Sequence, residues 1–322
     1  MNSLYIIGNG FDLAHGIDTR YWSFRTFLEE NHWEFLQRFE NLYGIQHLDE
    51  SEYGYSEEAQ ERWNTRVNKE LWSEFERFMA TPDIQSMLDY SSSVVGDLDL
   101  DSGNNGIRGT MDDYWKREFG FIKNLQEYVK EWIEQIDISG VTPKKQTLVD
   151  NDSDYFFNFN YTRVLEDVYH IEKVVHIHGT IGDDADYDPV MGHCNSAEIE
   201  ARRQFAYTAE ENYDEGEASI QEAVSDYLNE IYKDTAFYKD VNEYFFECLH
   251  TVNNVKIIGW SAGDVDIPYL LKIKESICKD AQWTVYYYDS GAYNSLSKAL
   301  SECGILDTFV VDFKETRTFW DR

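Results

Sequence analysis

Apolar positions along this 322-residue chain fall into two patterns, short unbroken runs and longer stripes at helical spacing. Leu4 to Ile7, Tyr155 to Phe159, the stretch K-V-V-H-I-H-G ending at Gly179, N-V-K-I-I before Gly259, W-T-V-Y-Y-Y before Asp289, and Thr308 to Phe313 are runs of β-formers. Such runs, continuous rather than alternating, predict strands buried on both faces of a parallel sheet. Between them lie helical stripes. Trp63, Val67, Leu71 and Phe75 recur every fourth residue, and Phe119, Ile122, Leu125, Val129, Trp132, Ile133 and Ile136 trace a second apolar face. Asp18 or Thr19 is placed to cap a first helix carrying Trp22, Phe27 and Leu28. Ser91 to Gly106 reads as a loop, and an acidic, aromatic helical block runs from Ala197 to His250.

Six strands separated by helices predict a doubly wound, mainly parallel α/β sheet of Rossmann-like kind with large helical insertions. The expected core is 1–18 and 148–322, carrying a helical block at about 197–253, with 19–147 as a helical insertion. In this architecture ligands sit beyond the C-terminal ends of the strands. Polar residues gather at those ends: Asn9 and Asp12, Asn158 and Asn160, His178, then Ser261, Asp264 and Asp266. Gly8 and Gly10 let the first turn bend sharply before a helix start, an arrangement that aims backbone N–H groups at an anion. Asp12 runs against that reading, because a phosphate repels a carboxylate. It faces a ribose or a reacting carbon, or it caps the helix. Strict alternation along the third strand puts His176 and His178 on one face.

Charge narrows the function. Lys and Arg total 28 against 61 Asp and Glu, a net charge of −33 spread along the chain. Such a field repels nucleic-acid backbones and anionic membranes, so neither is an expected partner. No apolar run approaches membrane-spanning length, and a strand at the very start is expected to leave no room for a secretory signal. Cys194, Cys248, Cys278 and Cys303 are widely spaced without a C-x-x-C pair, which predicts a reducing, cytoplasmic setting and no structural metal.

Two motifs mislead. G-W-S-A-G, Gly259 to Gly263, fits the nucleophile elbow of serine hydrolases, yet no histidine follows Ser261 to complete a triad in the required order. Ser261 is therefore read as a ribose or phosphate contact. D-D-A-D-Y-D, Asp183 to Asp188, offers oxygen ligands without the spacing of a calcium loop and reads as a solvated turn.

Taken together, I-I-G-N-G-F-D-L-A-H-G-I-D-T-R-Y, F-N-F-N-Y-T, V-V-H-I-H-G and I-I-G-W-S-A-G-D-V-D resemble the AbiH family of bacterial phage abortive-infection proteins. More distantly, the same landmarks are similar to sirtuin-like NAD-binding domains. That resemblance implies a defence effector with NAD as substrate, cleaved at its N-glycosidic bond. It implies catalytic roles for Asn160 and His178, to which Asp12 is added from its position. Gly8, Asn9, Gly10, Phe11, Asn158, Gly179, Gly259, Ser261, Asp264 and Asp289 are expected to line the nucleotide. The sirtuin zinc cysteines are missing, which points away from protein deacylation. A phage-derived trigger, a partner defence protein or a second copy of the chain are the implied partners. Two other functions stay open: a non-enzymatic nucleotide-binding sensor or docking module, and a metal-dependent nuclease built on Asp12, Asp264 and Asp266.

Overall fold

The structure, a computed structural model, describes residues 2–46, 56–87, 106–182 and 185–321, with the side chains of 106 and 107 excepted. The loop expected from Ser91 to Gly106 lies almost wholly outside the described residues, as do Asp183 and Asp184 of the acidic turn. Within the described residues the chain forms two compact units. One comprises Met1–Arg20, Val129–Val190 and Asp234–Arg322, and the other Tyr21–Tyr128 and Met191–Lys233.

The first unit is a six-stranded sheet. Its strands are β1 (Asn2–Ile7), β2 (Tyr155–Asn158), β3 (Val174–His176), β4 (Val252–Ile258), β5 (Gln282–Tyr287) and β6 (Val310–Glu315). Every pairing is parallel, in the order β3-β2-β1-β4-β5-β6. All six expected strands are present, and β6 starts two residues later than its apolar pattern suggested. β1 is central because its residues Leu4, Ile6 and Ile7 can be buried on both faces. One face packs Leu4, Ile6, Phe157, Val255, Ile257 and Trp283 against Tyr269, Leu270 and Ile273 of the helix Ile267–Ser276. The other packs Tyr5, Ile7 and Phe156 against Val164, Leu165, Tyr169 and Phe319.

The direction of the chain reverses its winding between β1 and β4. That is the topological switch point where open α/β sheets hold ligands. Register brings the strand ends level there, pairing Ile7 with both Asn158 and Ile258, and Asn158 with His176.

The second unit is helical. Trp63, Val67, Leu71 and Phe75 are buried as their spacing predicts. The helices Ser196–Glu211 and Glu215–Glu230 group with Gly106–Phe119. Polar contacts hold them together: Arg108 pairs with Asp112, Glu210 and Glu222, and Ser219 donates to Asp112 at 2.5 Å. No helix among the described residues is long and apolar enough to cross a membrane.

Candidate functional site

Two glycine turns meet at the switch point. Gly8 donates its N–H to Ile258 O at 2.9 Å, and Gly10 donates to Gly259 O at 2.8 Å. A methyl on Gly8 would lie 2.5 Å from Trp260 Cα, and one on Gly10 would lie 2.7 Å from Gly259 Cα. Contact between the two turns therefore accounts for both glycines. Gly259 itself has φ +69°, which only glycine adopts without strain. Three residues on, Ala262 carries φ +62° on a side-chain-bearing residue, so the S-A-G turn is held in a strained shape.

Asp12 lies in the short helix Gly10–Ala14 that follows, and its side chain is 1% exposed. The Thr162 hydroxyl donates to Asp12 Oδ2 at 2.7 Å, and Thr19 donates to the same oxygen at 3.4 Å. The same Thr19 hydroxyl, with its single hydrogen, also lies against Asn9 Oδ1 and tethers the first turn. Asp12 Oδ1 is buried and has no hydrogen-bond partner among the described residues. Burial pushes the carboxyl up from its ordinary 3.8 to about 7, against the opposing pull of Thr162, the Asn160 amide, Thr19 and the charge of His176.

Asn160 is held on three sides. Its N–H donates to Asn158 Oδ1 at 3.0 Å, its side-chain amide donates to Gly8 O at 3.2 Å, and its carbonyl accepts from His176 Nδ1 at 2.8 Å. Asn160 thus bridges β2 to the first turn and caps no helix. The segment after it, Val164–Val168, is a single π-helical turn. It carries Glu166, whose Oε1 lies 2.7 Å from His176 Nε2.

The two histidines part company. β3 ends at His176, and a turn closed by Gly179 N–H to His176 O throws His178 to the other side. His178 faces Phe159 and Tyr269, in the cluster that also takes Val175 and Ile177. The expectation that His176 and His178 share a face is therefore corrected: alternation stops where the strand does. His178 Nε2 lies 3.5 Å from Asp266 Oδ1, and Trp260 Nε1 donates to Asp266 Oδ2 at 2.8 Å. Asp266 was singled out at a strand end, but neither its histidine partner nor the role of Glu166 is readable from spacing, because each pair joins distant segments.

The remaining expected contacts are spread around the same edge. Phe11 is fully buried among His15, Tyr169 and Trp320, and its N–H donates to Gly8 O. Gly179, at φ +80°, lets the β3 turn pass against the backbone of Asp188. Ser261 and Asp264 are exposed, and Asp289 caps the helix Ser290–Glu302 by accepting from Ala292 N–H at 2.8 Å. Asp12, Asp264 and Asp266 do not gather. Among the described residues no group of three His, Cys, Asp or Glu side chains could hold a metal ion.

Residues 4–287 match the profile of a family described as Bacteriophage abortive infection AbiH. The chain belongs to the AbiH family. The match runs from within β1 to the end of β5, so it takes in Asp12, Asn160, Glu166, His176, His178 and Asp266. Membership carries a role in phage abortive infection, and the candidate site of this AbiH protein is the buried group of Asp12, Asn160, His176 and His178 with their carboxylate partners. No curated protein matches the chain.

Proposed function

We propose that this AbiH protein binds and hydrolyses NAD or a related nucleotide at its N-glycosidic bond, depleting it in infected cells. The observation that carries the reading is Asp12: a buried carboxyl, poised near neutrality, with one oxygen unpartnered among the described residues, at the switch point of a doubly wound sheet. Nicotinamide leaves without being protonated, so the protein's task is to stabilise an oxocarbenium-like ribose and to deliver water. Positive charge moving from the pyridinium onto the ribose would draw Asp12 into its ionised form, so its stabilisation is greatest in the transition state. Asn160, fixed on three sides, orients the ribose and the water. His178 accepts a proton from a ribose hydroxyl or from that water, with Asp266 holding its ring. Ser261, exposed beyond β4, contributes to binding.

The test is direct. Purified protein is incubated separately with NAD, NADP, ATP and RNA and the products are identified by mass spectrometry. His178→Ala and Asn160→Ala are expected to lose about 10²- to 10⁴-fold in turnover, while Ser261→Ala mainly raises KM. Unchanged turnover in both of the first two, or none by the wild type with a phage-derived trigger or partner defence protein supplied, defeats the reading.

A second reading is favoured by one observation. A net charge of −33 with acidic, aromatic helical blocks suits a module that docks a basic partner and only holds a ligand without turning it over. Such a sensor or docking module keeps its toxicity in a folded His178→Ala variant. The enzyme does not.

A further inference from the structure

His176 meets an acceptor at each of its ring nitrogens. Its Nδ1 lies 2.8 Å from the carbonyl of Asn160 and its Nε2 lies 2.7 Å from Oε1 of Glu166. A peptide carbonyl only accepts, and so does an ionised carboxylate. A neutral imidazole has one N–H and cannot donate to both. The side chain of His176 is 7% exposed and that of Glu166 18%, so water is a poor substitute for either contact. Glu166 Oε2 is buried without a hydrogen-bond partner among the described residues, which leaves the pair's proton to the Oε1 contact. The π-helical turn Val164–Val168 is what brings Glu166 under the ring, and such turns are frequent at functional sites.

We propose that Glu166 and His176 form a proton-holding pair that positions Asn160 and presents positive charge to Asp12. The second proton makes His176 a donor at both nitrogens, so the Asn160 carbonyl is pinned and its side-chain amide is kept against Gly8. Glu166 from the π-helical turn faces the ring, Asp12 of the first turn feels its charge, and the Tyr187 hydroxyl donates to His176 O from the segment beyond β3. His176 and Glu166 are positioning residues, since neither is placed against a substrate. Their effect on turnover rests on the nucleotide-cleaving reading of the site, whereas the proton itself does not.

The experiment separates the two. Nitrogen-15 NMR of the full chain labelled at histidine, with His176 assigned by its loss in His176→Asn, is expected to find both ring nitrogens protonated at neutral pH in the wild type. Glu166→Gln, which can donate to a neutral ring, is expected to leave only Nδ1 protonated while the fold persists. A single ring N–H in the wild type overturns the proposal, whatever the protein does to NAD. If the wild type shows both protons but cleaves nothing, the pair stands and the proposed function falls. With turnover, Glu166→Gln should move the acid limb of the kcat/KM profile to higher pH, because Asp12 loses its positive neighbour. His176→Asn, which keeps a donor to the Asn160 carbonyl, should retain more activity than His176→Ala. An unshifted profile in Glu166→Gln, or equal loss in the two His176 variants, counts against the positioning role.

Discussion

Asp12 is where burial and chemistry pull hardest against each other. Its ordinary carboxyl titrates at 3.8, and in the fold that rises to about 7. Between about pH 4 and pH 7 the folded chain therefore holds a proton that the unfolded chain has lost, and this group's contribution to stability falls as pH rises through that window. A rise of that size corresponds to roughly 4 kcal/mol. His193 works in the opposite sense. Burial lowers it from 6.5 to about 4, so its contribution is lost as pH falls from 6.5 toward 4. The two slopes oppose one another across much the same range. The wild type is consequently expected to look flat there, and the Asp12 slope should emerge only by difference. Urea unfolding at pH 5 and pH 8 checks this: Asp12→Asn should gain a few kcal/mol relative to wild type at the higher pH. An equal effect at both pH values would mean that Asp12 is already ionised in the fold.

At the scale of elements, the strands were legible because unbroken apolar runs have one stable home, the interior of a parallel sheet. Their ends were not. β3 stops at His176 because a backbone turn, invisible in composition, begins there, and this is why His178 escaped the alternation rule. The π-helical turn at Val164–Val168 was hidden for a similar reason, since its one extra residue per turn leaves the apolar pattern of Val164, Leu165 and Val168 looking helical. Asn160, His178 and Asp12 could be singled out by position past a strand. Glu166 and the His178 contact to Asp266 could not, because a pair across segments is a property of the fold. The same is true in the helical unit, where Lys233 is fully buried against Glu76. Glu76 also accepts from Tyr21 OH at 3.0 Å and from Gly192 N–H at 3.1 Å. Removing it strands a buried ammonium. Glu76→Ala is expected to cost about 3–5 kcal/mol in chemical denaturation, and a loss below about 1 kcal/mol would show that Lys233 finds water instead.

For the whole molecule, a net charge of −33 means that like-charge repulsion opposes the folded state. Salt shortens the reach of that repulsion, so the melting temperature should rise as NaCl goes from about 10 mM to about 150 mM. A fall would indicate that paired charges such as Arg108 with its three carboxylates dominate. The strand order has a different consequence, for synthesis rather than stability. β1 is made first and sits in the middle of the sheet, yet its neighbours are Tyr155–Asn158 and Val252–Ile258. At roughly 5–20 residues per second, Val252–Ile258 leaves the ribosome on the order of ten to fifty seconds after β1. Until β2 is made, L-Y-I-I has both edges open and no strand of its own chain to pair with. A sheet that completes only when β4 and its outer neighbours arrive exposes its nascent chain to chaperones, and to its own neighbours on the polysome, for most of the time it takes to make it.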